Sequence, residues 1–267
     1  MTTGFANATH LFELQGRTAI VTGGAGGIGR AIAEGLASVG VAVVMGDVSE
    51  EGLHNVGREI VGRGLSCLAV PTDVRSPTER SALVDRAVAE FGQVDILVNV
   101  AGITRGRPSE AYSIDDWDQT LAVNLTGMFN LCQLAALDMI PRRSGAIVNV
   151  SSIGGLLSFP NNPAYQASKG GALAMTRALA TDWAKYNIRV NALCPGYTHT
   201  GMTDLTFCDP HLHAARATRS MLNRWGEPSE MVGPVIFLAS EAASFVTGAS
   251  LLVDGGWADA GLTEWQL

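Results

Sequence analysis

Tyr165 and Lys169 stand four residues apart in Tyr165-Gln166-Ala167-Ser168-Lys169, a spacing that puts both side chains on one face of a helix. The pair suits proton transfer. A phenol with a reference pKa of about 10 is a poor base near neutrality, and a nearby ammonium favours its phenolate. With only four tyrosines and two lysines, Lys169 and Lys185, in the chain, chance rarely produces this spacing. Thirteen positions upstream, Ser152 closes Ile147-Val148-Asn149-Val150-Ser151-Ser152, at the carboxyl end of a strand, where ligands bind in open α/β sheets. Its hydroxyl suits a hydrogen bond to a substrate oxygen. Ser151 beside it has the same chemistry, and either serine could simply cap.

A second group of residues suits a dinucleotide. Thr22-Gly23-Gly24-Ala25-Gly26-Gly27-Ile28-Gly29 connects an apolar run to a helical pattern. Glycine lets such a turn take positive φ and lets the backbone approach a pyrophosphate, while the helix N-terminus offers free N–H groups. The next apolar run ends Val43-Val44-Met45-Gly46-Asp47. A carboxylate at that point is placed to accept hydrogen bonds from the adenosine ribose and would repel a 2′-phosphate. No Lys or Arg stands beside Gly27 or directly after Asp47, so the reading is NAD rather than NADP. Asp47 could equally be a turn residue, since Asp is common at strand ends.

These groups must be positioned by the elements around them. Val- and Ile-rich runs fall at Thr18–Thr22, Ala42–Gly46, Ser66–Pro71, Ile96–Asn99, Ala146–Val150, Arg189–Leu193 and Ala249–Val253. Several are apolar throughout, as parallel strands covered on both faces are. Between them, Ser76-Pro77-Thr78-Glu79 offers an N-cap, an N1 proline and a capping-box carboxylate. Ser113-Ile114-Asp115-Asp116 has similar logic and opens a helix reaching about Met139. Pro163 precedes a long Ala-rich helix over Ala164–Tyr186. The alternation predicts an α/β chain: one Rossmann-like, doubly wound sheet of about seven parallel strands with helices on both faces. Residues 1–11 read as a flexible lead-in and 12–267 as one dinucleotide-binding and catalytic domain. The segment from Tyr197 to Arg224 interrupts the alternation, which predicts a lid over the site.

Over residues 12 to 258 the chain resembles the short-chain dehydrogenase/reductase superfamily. The resemblance rests on Thr22-Gly23-x-x-x-Gly27-x-Gly29, Asp73-Val74, Asn99-Val100-Ala101-Gly102, Asn124, Ser152, Tyr165-x-x-x-Lys169 and Pro195-Gly196. Val100 departs from it, standing where the family often has a second Asn. The resemblance implies Tyr165 as general acid/base, and its spacing to Tyr165 selects Ser152 to orient the substrate oxygen. Lys169 would hold the nicotinamide ribose and favour the tyrosinate, and Asn124 would help hold a water for proton exit. Gly23, Gly27 and Ile28 would cradle the cofactor. Asp73 and Val74 would lie at the adenine, Asn99 and Ala101 along the adenosine side, and Pro195, Thr198 and Thr200 near the nicotinamide. The reaction would be reversible hydride transfer between NAD and a carbinol carbon.

Composition excludes other classes. A net charge of −7 without runs of like charge argues against nucleic acid or an anionic membrane surface as partner. The apolar runs fall short of the roughly 20 residues of a bilayer span, and the N-terminus lacks a secretory pattern. Cys67, Cys132, Cys194 and Cys208 are widely separated, as reduced cytoplasmic thiols are. His211 and His213 read as solvent-facing loop residues rather than metal ligands, and Arg142-Arg143 as a solvated helix end. Ala172, Met175, Leu179 and Trp183 at helical spacing, with Trp257, suggest apolar surfaces for a homotetramer of 222 symmetry. Asn161 and Asn162, with Tyr197 and His199 opposite, suggest a polar pocket for a small polyhydroxylated substrate. The final Val253-Asp254-Gly255-Gly256-Trp257 resembles relatives acting on sugars, sugar acids and polyols. The alternatives are a 3-oxoacyl thioester reductase and, more remotely, a non-catalytic NAD-sensing protein.

Overall fold

The Val- and Ile-rich runs form strands, and in the central ones both faces of the sheet are covered, so nearly every side chain is buried. The computed structural model describes residues 8–261. Its strands are β1 (Thr18–Thr22), β2 (Ala42–Asp47), β3 (Cys67–Pro71), β4 (Ile96–Asn99), β5 (Gly145–Val150), β6 (Ile188–Pro195) and β7 (Ser250–Val253). They pair in parallel in the order β3-β2-β1-β4-β5-β6-β7. The order reverses between β1 and β4, the switch point at which doubly wound sheets open a crevice at their carboxyl edge.

Successive strand residues point to opposite faces, so each strand serves two cores. On one face, α1 (Gly27–Ser38), α2 (Glu50–Gly62) and α9 (Val232–Ala239) pack Ile32, Leu36, Leu53, Ile60 and Val235 against Ala19, Val21, Val43 and Met45. On the other, α3 (Pro77–Phe91), α5 (Met128–Arg142) and α6 (Pro163–Trp183) pack Leu83, Leu131, Met139 and Leu179 against Ile20, Val44, Leu97 and Ile147. Between β6 and α9 lie two short helices, α7 (Asp204–Phe207) and α8 (Pro210–Ala217).

Several expectations change in detail. Residues 8–11 of the supposed lead-in belong to a 3-10 helix, Ala8–Phe12, and residues 1–7 lie outside the described residues. Ser76 Oγ accepts from Glu79 N–H at 3.3 Å, but the Glu79 carboxylate turns to Asp73 N–H at 2.7 Å instead of completing the capping box. Ser113 Oγ caps α4 (Ile114–Leu121) through Asp116 N–H at 3.0 Å. That helix runs through a π-turn, Ala122–Gly127, into α5 and ends at Arg142 rather than Met139. The 29-residue assembly is long and apolar enough to cross a bilayer, yet half of its most apolar window is buried, where it supplies the core.

Arg142 is not a merely solvated helix end. It donates to buried Asp95 at 3.1 Å, to Asp138 at 2.6 Å and to the Val94 carbonyl at 2.6 Å, tying α5 to the start of β4. Arg143 takes a left-handed conformation (φ 51°) that ends the helix. Ala172 and Leu179 also change face: both are buried in the core rather than on the outer side of α6, with Met175 and Trp183 packed beside them.

Candidate active site

A cleft of about 370 Å³ opens at the carboxyl ends of the central strands. One wall is the turn from β1 into α1. A Cβ at Gly29 would lie 2.0 Å from the Gly23 carbonyl oxygen, so only glycine lets the helix start this close to the strand. No side chain caps α1, which leaves the N–H groups of its first turn free, with the positive end of the helix dipole facing the cleft. Thr22 Oγ1 accepts from the N–H groups of Val100 and Ala101 at 3.0 and 3.1 Å, fastening this turn to the loop after β4.

Gly23, Gly27, Ile28, Asp47 and Ala101 all line the cleft. The Asp47 carboxylate borders the cleft and also accepts from Ala25 N–H at 3.0 Å and Ser49 N–H at 2.9 Å. It is therefore both the turn's brace and a half-buried acceptor, because each oxygen keeps a free lone pair. Asp73 and Val74 line an adjoining groove that shares Gly23, Asp47 and Ala101 with the cleft. Asp73 is held by Arg75 at 2.6 Å, and that guanidinium keeps its carboxyl below the usual range. Free helix-terminal donors, a carboxylate beyond them and the adjoining groove are a donor set that fits a nicotinamide dinucleotide.

The opposite wall carries Ser152, Tyr165 and Lys169, and Pro195, Thr198 and Thr200 close the floor. Ser152 follows β5, while Tyr165 and Lys169 project from the first turns of α6, which Pro163 opens. The loop and helix approach closely because residue 155 is glycine: a Cβ there would lie 2.8 Å from the Lys169 carbonyl oxygen. Lys169 is 3% exposed and donates Nζ to the Val150 carbonyl at 2.9 Å. Its Nζ lies 5.6 Å from the centre of the Tyr165 ring. Burial pushes the ammonium down to about 8. Burial also pushes the Tyr165 phenol up, against a hydrogen bond with Ser152 that lowers it, while nearby Tyr197 raises it further. In the protein by itself, burial rather than Lys169 dominates the ionisation of Tyr165.

Two predicted residues stay out of the cleft. Asn99 is 2% exposed and donates to Asn149 Oδ1 at 2.9 Å, because the register sets these residues opposite one another on β4 and β5. It braces the sheet beneath the site. Asn124, fully buried in the π-turn, accepts from Ile103 N–H at 2.8 Å and donates to the Ile103 carbonyl at 2.9 Å and to Ser168 Oγ at 3.1 Å. Its side chain is thus committed to the loop after β4 and to α6.

The expected polar pocket also differs. Asn161 sits at a turn with φ 63°, its carbonyl accepting from Arg107 N–H at 2.8 Å, and Asn162 Nδ2 donates to Thr104 Oγ1 at 2.6 Å. Both fasten the loop before α6 to the loop after β4. His199 stacks on Phe207 at 3.7 Å and faces Asp204 at 3.3 Å. His211 and His213 lie on α8 rather than on a loop, and His213 is half-buried beside Trp225. Among the described residues, no group of three His, Cys, Asp or Glu is placed to hold a metal, and all four cysteines are free.

Beside the reacting groups stands an aromatic wall that sequence reading missed. Tyr197 packs against Phe159, Trp225 and Trp257 at centroid distances of 6.2, 5.2 and 5.6 Å. Trp257 is only 4% exposed and donates its indole N–H to the Arg216 carbonyl at 3.2 Å. It is therefore an internal strut, not the free apolar surface expected for subunit contact.

Residues 23–258 match the family model described as enoyl-(acyl carrier protein) reductase. The 2-dehydro-3-deoxy-D-gluconate 5-dehydrogenase of Escherichia coli (strain K12) is 40% identical, over 92% of this chain and 97% of its own. The gluconate 5-dehydrogenase of Gluconobacter oxydans (strain 621H) is 39% identical, over 92% and 96%. The solved gluconate 5-dehydrogenase from Burkholderia cenocepacia J2315, in complex with NADP and tartrate, superposes with a TM-score of 0.92 at 38% identity, covering 96% of this chain and 100% of that one. The chain belongs to the short-chain dehydrogenase/reductase superfamily and is an oxidoreductase.

Proposed function

We propose that the protein is an NAD-linked dehydrogenase of sugar acids and related polyols. The observation that carries this reading is the convergence of Ser152, Tyr165 and Lys169 on a cleft whose other wall offers free helix-terminal donors and Asp47. The relatives' action on gluconate and its dehydro-deoxy derivative supports the substrate class. Gly23, Gly27 and Ile28 would hold the cofactor phosphates, Asp47 the adenosine ribose, and Lys169 the nicotinamide ribose. The bound nicotinamide supplies a hydride acceptor or donor at its ring. Ser152 holds the substrate oxygen, and Tyr165 removes the hydroxyl proton during oxidation and returns it during reduction. Asn124 acts at a distance, by fixing the loop after β4 and Ser168 beside Lys169.

NAD is favoured because Asp47 stands where a 2′-phosphate would be repelled and Val48, which follows it, is uncharged and 69% exposed. The Burkholderia relative in complex with NADP makes this a point for direct test. Steady-state turnover of D-gluconate, sorbitol and an acetoacetyl thioester, each with NAD(H) and NADP(H), separates the readings. Gluconate with NAD⁺ is expected to lead by at least about tenfold in kcat/KM. Asp47→Ala with Val48→Arg is expected to move cofactor preference toward NADP by on the order of 10- to 100-fold, by removing one charge and supplying the opposite one. A wild-type preference for NADP would contradict the reading of Asp47. A thioester turned over faster than gluconate would favour a 3-oxoacyl thioester reductase, the activity named for a relative from Thermotoga maritima that is 37% identical.

In this reading the segment 197–224 is the lid, since Thr198, Thr200 and Thr203 reach the cleft while Leu205 is 93% exposed. The exposed Phe129 and Leu137 on α5 supply an apolar face for a two-fold contact within a cytoplasmic homotetramer.

A further inference from the structure

Arg216 lies near the end of α8 with its guanidinium 5.0 Å from the centre of the Tyr197 ring. Its backbone is pinned by the Trp257 indole, and its Nε is shut off from solvent without a hydrogen-bond partner. The other half-buried or buried arginines among the described residues each face an oxygen. Arg17 and Arg142 meet Asp95, Arg30 meets Glu34, Arg80 meets Asn130, and Arg189 meets the Leu238 and Ser240 carbonyls. Arg216 meets the face of Tyr197 instead, a ring close enough to Tyr165 to influence its ionisation. Tyr197, beneath it, directly follows cleft-lining Pro195 and Gly196 and packs edge-on against Phe159 in the loop between Ser152 and Tyr165.

We propose that Arg216 binds the substrate carboxylate, at the end of the substrate remote from the carbinol carbon presented to Tyr165. The inference rests on the sugar-acid reading above and names the residue that would select acids over neutral polyols. A guanidinium fork matches a carboxylate with two parallel hydrogen bonds. Stacking on Tyr197 orders the side chain before ligand arrives, so less rotamer entropy is lost on binding. A protein of net charge −7 repels anions in general, and a local cation beside the cleft offsets that field. Arg219, 4.2 Å from the centre of the Trp257 ring and exposed, adds positive charge on the same side.

The test compares wild type, Arg216→Met and Arg216→Lys on D-gluconate and on D-gluconamide, its uncharged counterpart, with NAD⁺. Wild type is expected to prefer the acid. Arg216→Met should lose on the order of 10- to 100-fold in kcat/KM for gluconate, chiefly through KM, so that the preference for acid over amide disappears. Arg216→Lys should recover part of it, restoring charge without the fork. An unchanged gluconate KM in Arg216→Met, or an equal loss on acid and amide, overturns the assignment; gluconate turnover by wild type then leaves the proposed function standing. A wild-type enzyme active on sorbitol but not on gluconate overturns the assignment of Arg216, and one active only on the thioester overturns both.

Discussion

Exchanging Tyr165 for Phe is expected to lower kcat by about 10³-fold or more while cofactor affinity stays within about threefold. The ring is retained, so packing against Gly154 and the cation contact with Lys169 both persist. What disappears is the ionisable oxygen and its hydrogen bond with Ser152. Burial raises the phenol's pKa in the protein alone, so oxidation is expected to speed up as pH rises and Tyr165 loses its proton more readily. The Phe variant should lose that pH dependence along with the rate. Absorbance at the reduced-nicotinamide band measures turnover, and calorimetric titration measures cofactor affinity. Retention of more than a few per cent of the wild-type rate would remove Tyr165 as the proton-transfer group.

Lys169→Met carries the second large effect, and its two readouts move in opposite directions. Turnover should fall by about 100-fold or more, because the ammonium proposed to hold the ribose and assist Tyr165 is gone. Stability of the cofactor-free protein should rise. Lys169 is buried, and its pKa falls from 10.5 to about 8 on folding. Between those values the unfolded chain binds more protons than the folded one. The penalty for burying the ammonium is therefore full below pH 8 and fades as pH climbs toward 10.5. A shift of this size corresponds to roughly 3 kcal/mol at neutral pH. Losing the hydrogen bond to Val150 costs about 1 kcal/mol of that. The net gain of about 2 kcal/mol amounts to some 4–8 °C in Tm for a chain of this length. Scanning calorimetry at pH 7 and pH 9.5 should show the gain shrinking at the higher pH. A variant less stable than wild type at pH 7 would mean that the ammonium is not destabilising where it lies.

Much of this architecture was legible in the sequence. All seven strands fall at the apolar runs, since the central ones are buried on both faces and so must be apolar nearly throughout. The turn after β1 and the Tyr165–Lys169 pair were equally legible, because they depend on residues adjacent in the chain. What was hidden depends on register and on contacts between distant segments. Asn99 donates to Asn149 because β4 and β5 set the two opposite one another, a pairing that neither strand encodes alone. Asn161 and Asn162 brace a loop because the chain turns through a left-handed residue there. The aromatic wall draws Phe159, Tyr197, Trp225 and Trp257 from four separate segments, and only the fold makes Trp257 internal. Arg216 had no sequence signal at all. Its meaning comes from a guanidinium lying over Tyr197 with its Nε unpartnered.

Isotope transfer tests the central claim most directly. D-Gluconate deuterated at its carbinol carbons is incubated with the enzyme and NAD⁺, and the reduced cofactor is analysed by mass spectrometry. The expected result is one deuterium on each reduced nicotinamide, formed in step with a keto acid that has lost one deuterium, because hydride passes directly from carbinol carbon to ring. Reduced cofactor without deuterium, or none formed from any secondary alcohol offered, would contradict the assignment of Ser152, Tyr165 and Lys169 as a carbinol-oxidising site.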